Sequence, residues 1–292
     1  MKKSISFLIA VLFSVAAFAQ QITKSFVADD FTGITASNVF DIELIKSPVE
    51  SVVVTTDREV MKYVNVKVIM GQLNLIIDTD KMPRNLKKDL KSVKVKINMK
   101  NELSWLSLSG ACKLTSSSNF TPQNFKGQIS GASSICGLGI MSESARISVS
   151  GASSVSMRGK INIADYELSG ASTSVMNQEI STLSVKCSGA SKMDFTGSIA
   201  SLDLKLSGSS EVKLKGSGEE IRTRISGASK FIAVEFAAND AYITISGVSK
   251  AVINVSKTLE AEISGSSHLE YKGSPVINNV SVNSISNFKK IY

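Results

Sequence analysis

Residues 201–216 read SLDLKLSGSSEVKLKG, and apolar residues alternate with polar ones on both sides of the S-G-S-S segment at 207–210. Leu202 and Leu204 precede the glycine on one phase, and Val212 and Leu214 continue that phase after it. Alternation with a period of two is typical of a β-strand with one buried face. An amphipathic helix would place apolar residues three and four positions apart, and this spacing is missing here. The stretch therefore predicts strand on both sides of a short S-G-S-S motif.

The S-G-A-S motif, or a close variant of it, recurs from residue 109 to residue 267. Its glycines are separated by 21, 20, 19, 19, 19, 19, 20 and 18 residues. Self-similarity at this period indicates a solenoid in which each repeat is one coil. A tenth, weakened motif follows at Ser284. The motif glycines are Gly110, Gly131, Gly151, Gly170, Gly189, Gly208, Gly227, Gly247 and Gly265.

The small residues of the motif have an architectural explanation. We expect the glycine to lie on the inward phase, where the missing side chain lets the backbone bend or approach another backbone closely. The serine two residues later shares that phase, so its hydroxyl needs a backbone carbonyl or the same serine one coil away as a partner. The residues on either side of the glycine should face outward. A second glycine eight residues later predicts a further turn, as at Gly159, Gly197, Gly216 and Gly273.

The predicted fold class is all-β: a single-stranded parallel β-helix, or β-solenoid, of about ten coils of 18–21 residues. Residues 101–292 form the repeats. Residues 20–100 lack the glycine motif but keep alternating strands, so we expect an N-terminal β region that is stacked on the solenoid or caps it. A cap is needed because an open end exposes apolar interior and unpaired strand edges. Right-handed coiling is our expectation.

The N-terminus predicts export. Residues 1–19 combine Lys2 and Lys3 with an apolar run that ends in Ala17 and Ala19. This is the pattern of a secretory signal peptide with an A-x-A cleavage site, and the run is too short to span ~30 Å of hydrocarbon. No later stretch reaches the length of a transmembrane helix. We therefore expect a protein of the periplasm, the cell surface or the extracellular space.

The positive charge can be explained by solvent exposure alone or by binding to an anionic partner. Much of the net charge of +8 lies in residues 81–100, where eight residues are basic and one is acidic. This composition favours a solvated loop and a strand with lysines on its wet face. Attraction to an anionic glycan or membrane surface is the alternative. Nucleic acid is not a predicted partner, because the chain carries no matching motif.

Residues that could carry out chemistry are sparse. A nucleophilic serine needs an adjacent base, yet His268 is the single histidine, and no G-x-S-x-G element is present. Cys112, Cys136 and Cys187 are odd in number and fit no metal-ligand spacing, so free thiols are favoured, with a Cys112–Cys136 bridge left open. We predict no catalytic residue, no metal and no cofactor.

Positions five residues before each motif glycine should stack into a row on the outer surface. Trp105, Lys126 and Arg146 begin this row and form the candidate ligand-binding set, an aromatic platform beside two cations. The alternative is that Trp105 has a structural role and is covered by the N-terminal region.

Opposite charges on adjacent coils should also pair along the outward rows. Asp203 with Arg222 and Glu167 with Lys186 are the expected pairs. Each cross-strand pair would contribute about 0.2–1 kcal/mol.

The stretch FTGITASNVFDIELIKSPVESVVVTTDREVMKYVNVKV, followed by recurrent S-G-A-S coils, resembles the DUF2807 family, the putative auto-transporter adhesin, head GIN domain. The resemblance covers roughly residues 25–288. It implies a parallel β-helix in an exported protein of Bacteroidetes-like bacteria, with an adhesin role by analogy, and it supplies no catalytic residues. No translocator barrel is expected within the chain, since the C-terminal residues belong to the repeat.

The sequence is compatible with three functions. The first is a noncatalytic exported β-solenoid that binds glycans, surface proteins or other envelope components. The second is a polysaccharide lyase or hydrolase, suggested by the fold and by the charged rows. The third is a periplasmic scaffold without a small ligand. The sequence favours the first, because it offers repeats and an export signal but no catalytic constellation.

Overall fold

The computed structural model describes residues 21–283 and 285–292. The expected signal peptide, residues 1–19, and Ser284 of the expected tenth motif lie outside the described residues. The described chain is a parallel β-solenoid of about ten turns, which confirms the predicted fold class.

The described residues form 21 strands and two short helices. The strands are β1 (Gln21–Phe26), β2 (Gly33–Ala36), β3 (Phe40–Lys46), β4 (Ser51–Asp57), β5 (Val64–Ile69), β6 (Gln72–Ile77), β7 (Val93–Met99), β8 (Trp105–Leu108), β9 (Lys113–Thr115), β10 (Asn119–Phe120), β11 (Asn124–Ile129), β12 (Ser134–Val149), β13 (Ser154–Leu168), β14 (Thr173–Cys187), β15 (Lys192–Leu206), β16 (Glu211–Ile225), β17 (Lys230–Ile245), β18 (Lys250–Ile263), β19 (His268–Gly273), β20 (Val276–Val282) and β21 (Asn287–Lys290). The helices are α1 (Arg58–Met61) and α2 (Arg84–Lys88).

Each regular coil consists of one long strand and one short corner. Strands β12 to β18 are 14–16 residues long, and each pairs in parallel with the next along nearly its whole length. Within β15, Leu202, Leu204 and Leu206 are buried, and the residues between them are exposed or half-buried. The alternation seen in the sequence is therefore the inside and the outside of the coil, and the stacked apolar rows form its core.

The S-G-A-S motifs are the corners that connect one long strand to the next. The nine motif glycines are exposed there, so the prediction that they face the interior is wrong. All nine have φ between 70° and 80°, in the left-handed region that favours glycine. In addition, a Cβ atom on Gly208 would lie 2.6 Å from the carbonyl oxygen of Gly189. Glycine is thus required by the backbone conformation and by the close stacking of successive corners.

Main-chain hydrogen bonds connect each corner to the one before it. The amide of Ser209 donates to the carbonyl of Gly189 at 2.7 Å, and the amide of Ala228 donates to the carbonyl of Gly208 at 2.8 Å. These bonds run parallel to those of the strands, so the hydrogen-bonded ladder continues through the turn. Consequently the exposed corners are as regular as the buried strands.

The serine two residues after every motif glycine except Gly110 is buried, as predicted. Ser249 donates its hydroxyl to the carbonyl of Gly227 at 3.2 Å, while the hydroxyls of Ser191 and Ser210 pair with each other at 3.3 Å. Both expected kinds of partner are present. These hydroxyls therefore hold adjacent corners together inside the solenoid.

At the second predicted turn, the glycines have positive φ but lie within or at the end of continuous strands rather than in a separate turn. Their φ values are 140°, 140°, 125° and 101° at Gly159, Gly197, Gly216 and Gly273. In the coil that follows Gly170, Gln178 takes this position instead; it is buried and accepts a 2.8 Å hydrogen bond from the hydroxyl of Tyr166. Tyr166 is among the largest fully buried side chains, so this bond satisfies its hydroxyl within the core.

The N-terminal region extends the solenoid in a spatial order that differs from the chain order. Strand β2 pairs in parallel with β6 on one side and β8 on the other, and β3 pairs likewise with β7 and β9. The coil β2–β3 therefore lies between β6–β7 and β8–β9. On the free side of the coil β6–β7, β4 pairs antiparallel with β7 and with β1, and β5 pairs antiparallel with β6. These antiparallel strands occupy the edge that the outermost parallel coil would leave unpaired.

Asn38 is a corner residue without the sequence motif. Its φ is 83°, and its carbonyl accepts the amide of Ala111 at 2.7 Å, as a motif glycine does in the later coils. Its side-chain oxygen also accepts the amide of Ile77 at 3.1 Å. Asparagine tolerates the left-handed conformation, and here its amide group connects the corner to the outermost coil.

Gly208→Ala tests the requirement for glycine at the corners. We expect a loss of about 1–3 kcal/mol in the free energy of unfolding, because alanine is strained at positive φ and its Cβ meets the carbonyl of Gly189. Urea unfolding followed by circular dichroism measures the change.

The matched control is Ser209→Ala, since the neighbouring coil already carries alanine there, at Ala190. This exposed substitution should change the free energy of unfolding by less than about 0.5 kcal/mol. Equal stability of the two variants would contradict the proposed role of the glycine.

Candidate functional site

The outward residues before each corner form in-register rows on the outside of the solenoid. Trp105 lies opposite Lys126, Lys126 lies opposite Arg146, and Arg146 lies opposite Asp165. Successive strands are ~4.8 Å apart, so these four side chains follow one another along the solenoid axis. Parallel pairing thus converts a spacing of 19–21 residues in the sequence into direct neighbours on the surface.

Trp105 and Lys126 are in direct contact. The Lys126 ammonium lies 5.0 Å from the centroid of the indole ring, which is a cation–π distance. The indole Nε1 donates to the Thr35 hydroxyl at 3.3 Å, and this bond fixes the orientation of the half-buried ring. Trp105 and Lys126, together with Phe125 and other neighbours, line a shallow groove of about 590 Å³.

Arg146 lines the same groove but is bound to a carboxylate. Its Nε lies 3.2 Å from Oδ2 of Asp165, and both side chains remain at least one third exposed. An ion pair this exposed contributes little to stability, but it does neutralise much of the arginine charge. The structure therefore places all three predicted residues side by side and leaves Lys126 as the cation in contact with the ring.

The N-terminal coil supplies residues that the sequence did not point to. Gly33 of β2 lies opposite Trp105 on the side away from Lys126, and Thr35 of the same strand holds the indole nitrogen. Neither residue belongs to the repeat. No periodic signal connects β2 with β8, so only the spatial order of the coils reveals this contact.

The two expected ion pairs are absent from the described residues, and those predictions are wrong. Arg222 binds Glu220, two residues earlier on the same face of the same strand, through bonds of 2.6 and 2.9 Å. Its guanidinium also lies 4.7 Å from the ring centroid of Tyr242 on the next coil. Arg222 takes these partners rather than Asp203, and the bidentate pairing holds the pKa of Glu220 below its usual value. Glu167 and Lys186 face each other in register without forming a salt bridge.

Among residues 21–283 and 285–292, no group of three or more His, Cys, Asp or Glu side chains is placed to hold a metal ion. His268 is exposed on the surface of β19. The described helices also include none that is long and apolar enough to cross a membrane.

All three cysteines are free thiols, which leaves the Cys112–Cys136 bridge unformed in this structure. Cys112 takes the place of the inward serine after Gly110 and is buried, whereas Cys136 is exposed. Burial raises the pKa of Cys112, and it raises that of Cys187 to about 11. Neither buried thiol is therefore a ready nucleophile at neutral pH.

The fold and this surface define a parallel β-solenoid whose outer face carries ordered rows of charged, hydroxyl and aromatic side chains. The chain belongs to the DUF2807 family, described as "Putative auto-transporter adhesin, head GIN domain", whose sequence model matches residues 30–178 and 172–275. This match confirms the resemblance found in the sequence. No curated protein sequence matches the chain.

Three crystal structures share the fold over nearly the whole chain. A putative adhesin from Parabacteroides distasonis is 17% identical, with a TM-score of 0.53 over 94% of this chain and 98% of its own. A putative lipid binding protein from the same species is 16% identical, with a TM-score of 0.51 over 93% and 97%. A putative adhesin from Parabacteroides merdae is 16% identical, with a TM-score of 0.50 over 94% and 97%. At these identities the likeness establishes the fold alone.

Thiol labelling tests the assignment of the three cysteines. We expect one thiol per folded molecule to react rapidly with a disulfide reagent such as DTNB at pH 8, because Cys136 alone is exposed. After unfolding in urea without a reductant, all three should react.

Cys136→Ser is the control, and it should abolish the rapid reaction. If the unfolded wild-type protein showed one reactive thiol instead of three, the assignment would be contradicted, because the other two cysteines would then form a disulfide.

Proposed function

We propose that this protein is an exported, noncatalytic β-solenoid that binds glycans, surface proteins or other components of the cell envelope through its outer face. The description of its family as an adhesin supports this, as does the same description of two solved structures with this fold. The fold does not choose the ligand, because a putative lipid binding protein shares it. The ligand must be argued from the surface.

The observation that carries the proposal is the groove around Trp105. Its indole is half-buried and oriented by Thr35, so it offers a flat apolar surface that needs no ordering when a ligand binds. A ligand that stacks on the ring displaces Lys126, at a cost of about 0.5–1 kcal/mol for an exposed cation–π contact. The displaced ammonium stays beside the ligand as a hydrogen-bond donor.

The same groove gives less support to a polysaccharide hydrolase. Glycoside hydrolysis generally needs two carboxyl groups on either side of the scissile bond. Of the described residues that line the groove, Asp165 is the single carboxylate, and Arg146 already pairs with it. The arrangement fits binding better than bond cleavage.

Export is supported by the signal-peptide pattern of residues 1–19. The final compartment decides between an adhesin and a periplasmic scaffold. Protease treatment of intact cells separates these cases, because only a surface-exposed protein is digested without disruption of the envelope.

Trp105→Ala tests the proposed binding groove. We expect the purified protein to be retained on an array of bacterial and host glycans, mucins and matrix proteins. The substitution should lower the affinity for the retained ligand about tenfold, equivalent to about 1.4 kcal/mol, because it removes the stacking surface. Biolayer interferometry measures the affinity, and thermal unfolding checks that the variant is folded.

Two further variants keep this test sharp. Tyr242→Ala removes another aromatic residue from the same row, outside the groove, and should leave the affinity unchanged. Lys126→Gln, at an exposed position, should alter the affinity without loss of stability. Retention on no ligand of the array, or equal binding by wild type and Trp105→Ala, would refute the proposal.

A further inference from the structure

A second part of the outer face carries three cations in a single row. Lys186 lies opposite Lys205, and Lys205 lies opposite Arg224, on three successive coils. All three side chains are exposed. With ~4.8 Å between neighbouring strands, the row is ~10 Å long and runs along the solenoid axis.

In the described chain, no salt bridge involves Lys186, Lys205 or Arg224, whereas Arg146 and Lys160 both pair with an acid on the next coil. Other lysines, such as Lys113, also lack a salt bridge there, so this row is set apart by three such cations stacked in register on successive coils. Like charges directly opposite each other in a sheet are destabilising. Their mutual repulsion is relieved by a ligand with negative charges at the same spacing.

A row of hydroxyls runs beside the cations, two residues further along each strand. Ser207 and Ser226 donate to the carbonyls of Cys187 and Leu206, at 3.4 and 3.2 Å. Because the hydroxyl protons of Ser207 and Ser226 are used in these bonds, their oxygens are available to a ligand as acceptors. The two rows line a groove of about 430 Å³, together with Ser188 and Ser246.

The ends of the row set the length of the ligand segment. Glu167 lies opposite Lys186 at one end, and Thr244 lies opposite Arg224 at the other, followed by Glu262. A negatively charged ligand is thus attracted over three coils and repelled by the carboxylates beyond them.

We propose that this groove binds three consecutive sugars of a linear acidic polysaccharide with one carboxylate per ring, a polyuronate. The cations bind carboxylates of the chain, and the serine oxygens accept hydrogen bonds from its ring hydroxyls. Arg224 suits one carboxylate well, since its planar guanidinium binds carboxylates in a bidentate manner. This inference rests on the proposed binding function and names a ligand class for it.

A membrane surface fits the groove less well. Its exposed lining consists of cations, hydroxyls and one carboxylate, Glu167, whereas interfacial membrane binding draws on apolar side chains and a broad cationic surface. A narrow row bounded by carboxylates matches a single linear chain.

The experiment compares two triple variants with equal loss of charge. K186Q/K205Q/R224Q removes the row, and K113Q/K192Q/K230Q removes three exposed lysines that lie elsewhere and form no salt bridge in the described structure. Binding to polygalacturonate is measured by biolayer interferometry at 50 and 300 mM NaCl, with fully methyl-esterified polygalacturonate as the uncharged polymer. Thermal unfolding confirms that both variants are folded.

We expect wild-type protein to bind polygalacturonate, with an affinity that falls as salt is raised, and not to bind the esterified polymer. The row variant should lose at least about tenfold in affinity, and the control variant less than about twofold. Equal losses in the two variants would overturn the inference, because general attraction to a basic protein would then explain binding.

Two other outcomes separate this inference from the proposed function. Trp105-dependent binding to another ligand, without binding to polygalacturonate, would overturn the polyuronate site and leave the proposed function standing. Row-dependent binding to phosphatidylglycerol vesicles without polygalacturonate binding would also overturn it. If the protein bound no ligand of the array and neither polygalacturonate nor the vesicles, the polyuronate site and the proposed binding function would both be refuted.

Discussion

The hydrogen bond from each corner amide to the glycine carbonyl of the preceding coil is the interaction on which the rest of the structure depends. Bonds such as Ser209 to Gly189 continue the ladder of the strands through the turns. They form only if successive corners stack closely, and a side chain at the glycine would prevent this. The left-handed φ of the same residue allows the turn itself. One residue type therefore satisfies both requirements, which explains why a nearly featureless motif recurs in every regular coil.

The register kept by the strand segments that lead into the corners is the consequence that matters for function. Because the corners stack, each outward position there repeats directly above its equivalent, and the surface becomes a set of rows. Bulges shift the register elsewhere along the strands, as between Lys213 and Lys215. A row can bring together an aromatic ring and a cation, as at Trp105 and Lys126, or three cations, as at Lys186, Lys205 and Arg224. The scaffold itself is uniform along its length, so specificity resides in which side chains occupy the rows.

The sequence predicted the solenoid well, because a period of two and a repeat of about 19 residues both reflect the coil directly. It also predicted the buried serines and the rows. It misplaced the motif glycines, since hydrophobic alternation does not reveal a left-handed φ. It could not order the N-terminal coils, because β2 and β3 pair with strands distant in sequence and Asn38 replaces the glycine. The failed Asp203–Arg222 pair shows that register fixes neighbours, while side-chain reach chooses between partners such as Glu220 and Tyr242.

Hydrogen exchange at the corner amides tests the central claim most directly. The amides of Ala171, Ala190, Ser209 and Ala228 belong to exposed residues, yet each donates to a glycine carbonyl one coil away. If these bonds are part of the cooperative structure, these amides exchange as slowly as that of buried Leu204 in β15, with protection close to the global stability. Rapid exchange at the corners, with slow exchange in the strands, would contradict the account, because the corners would then be ordinary surface loops.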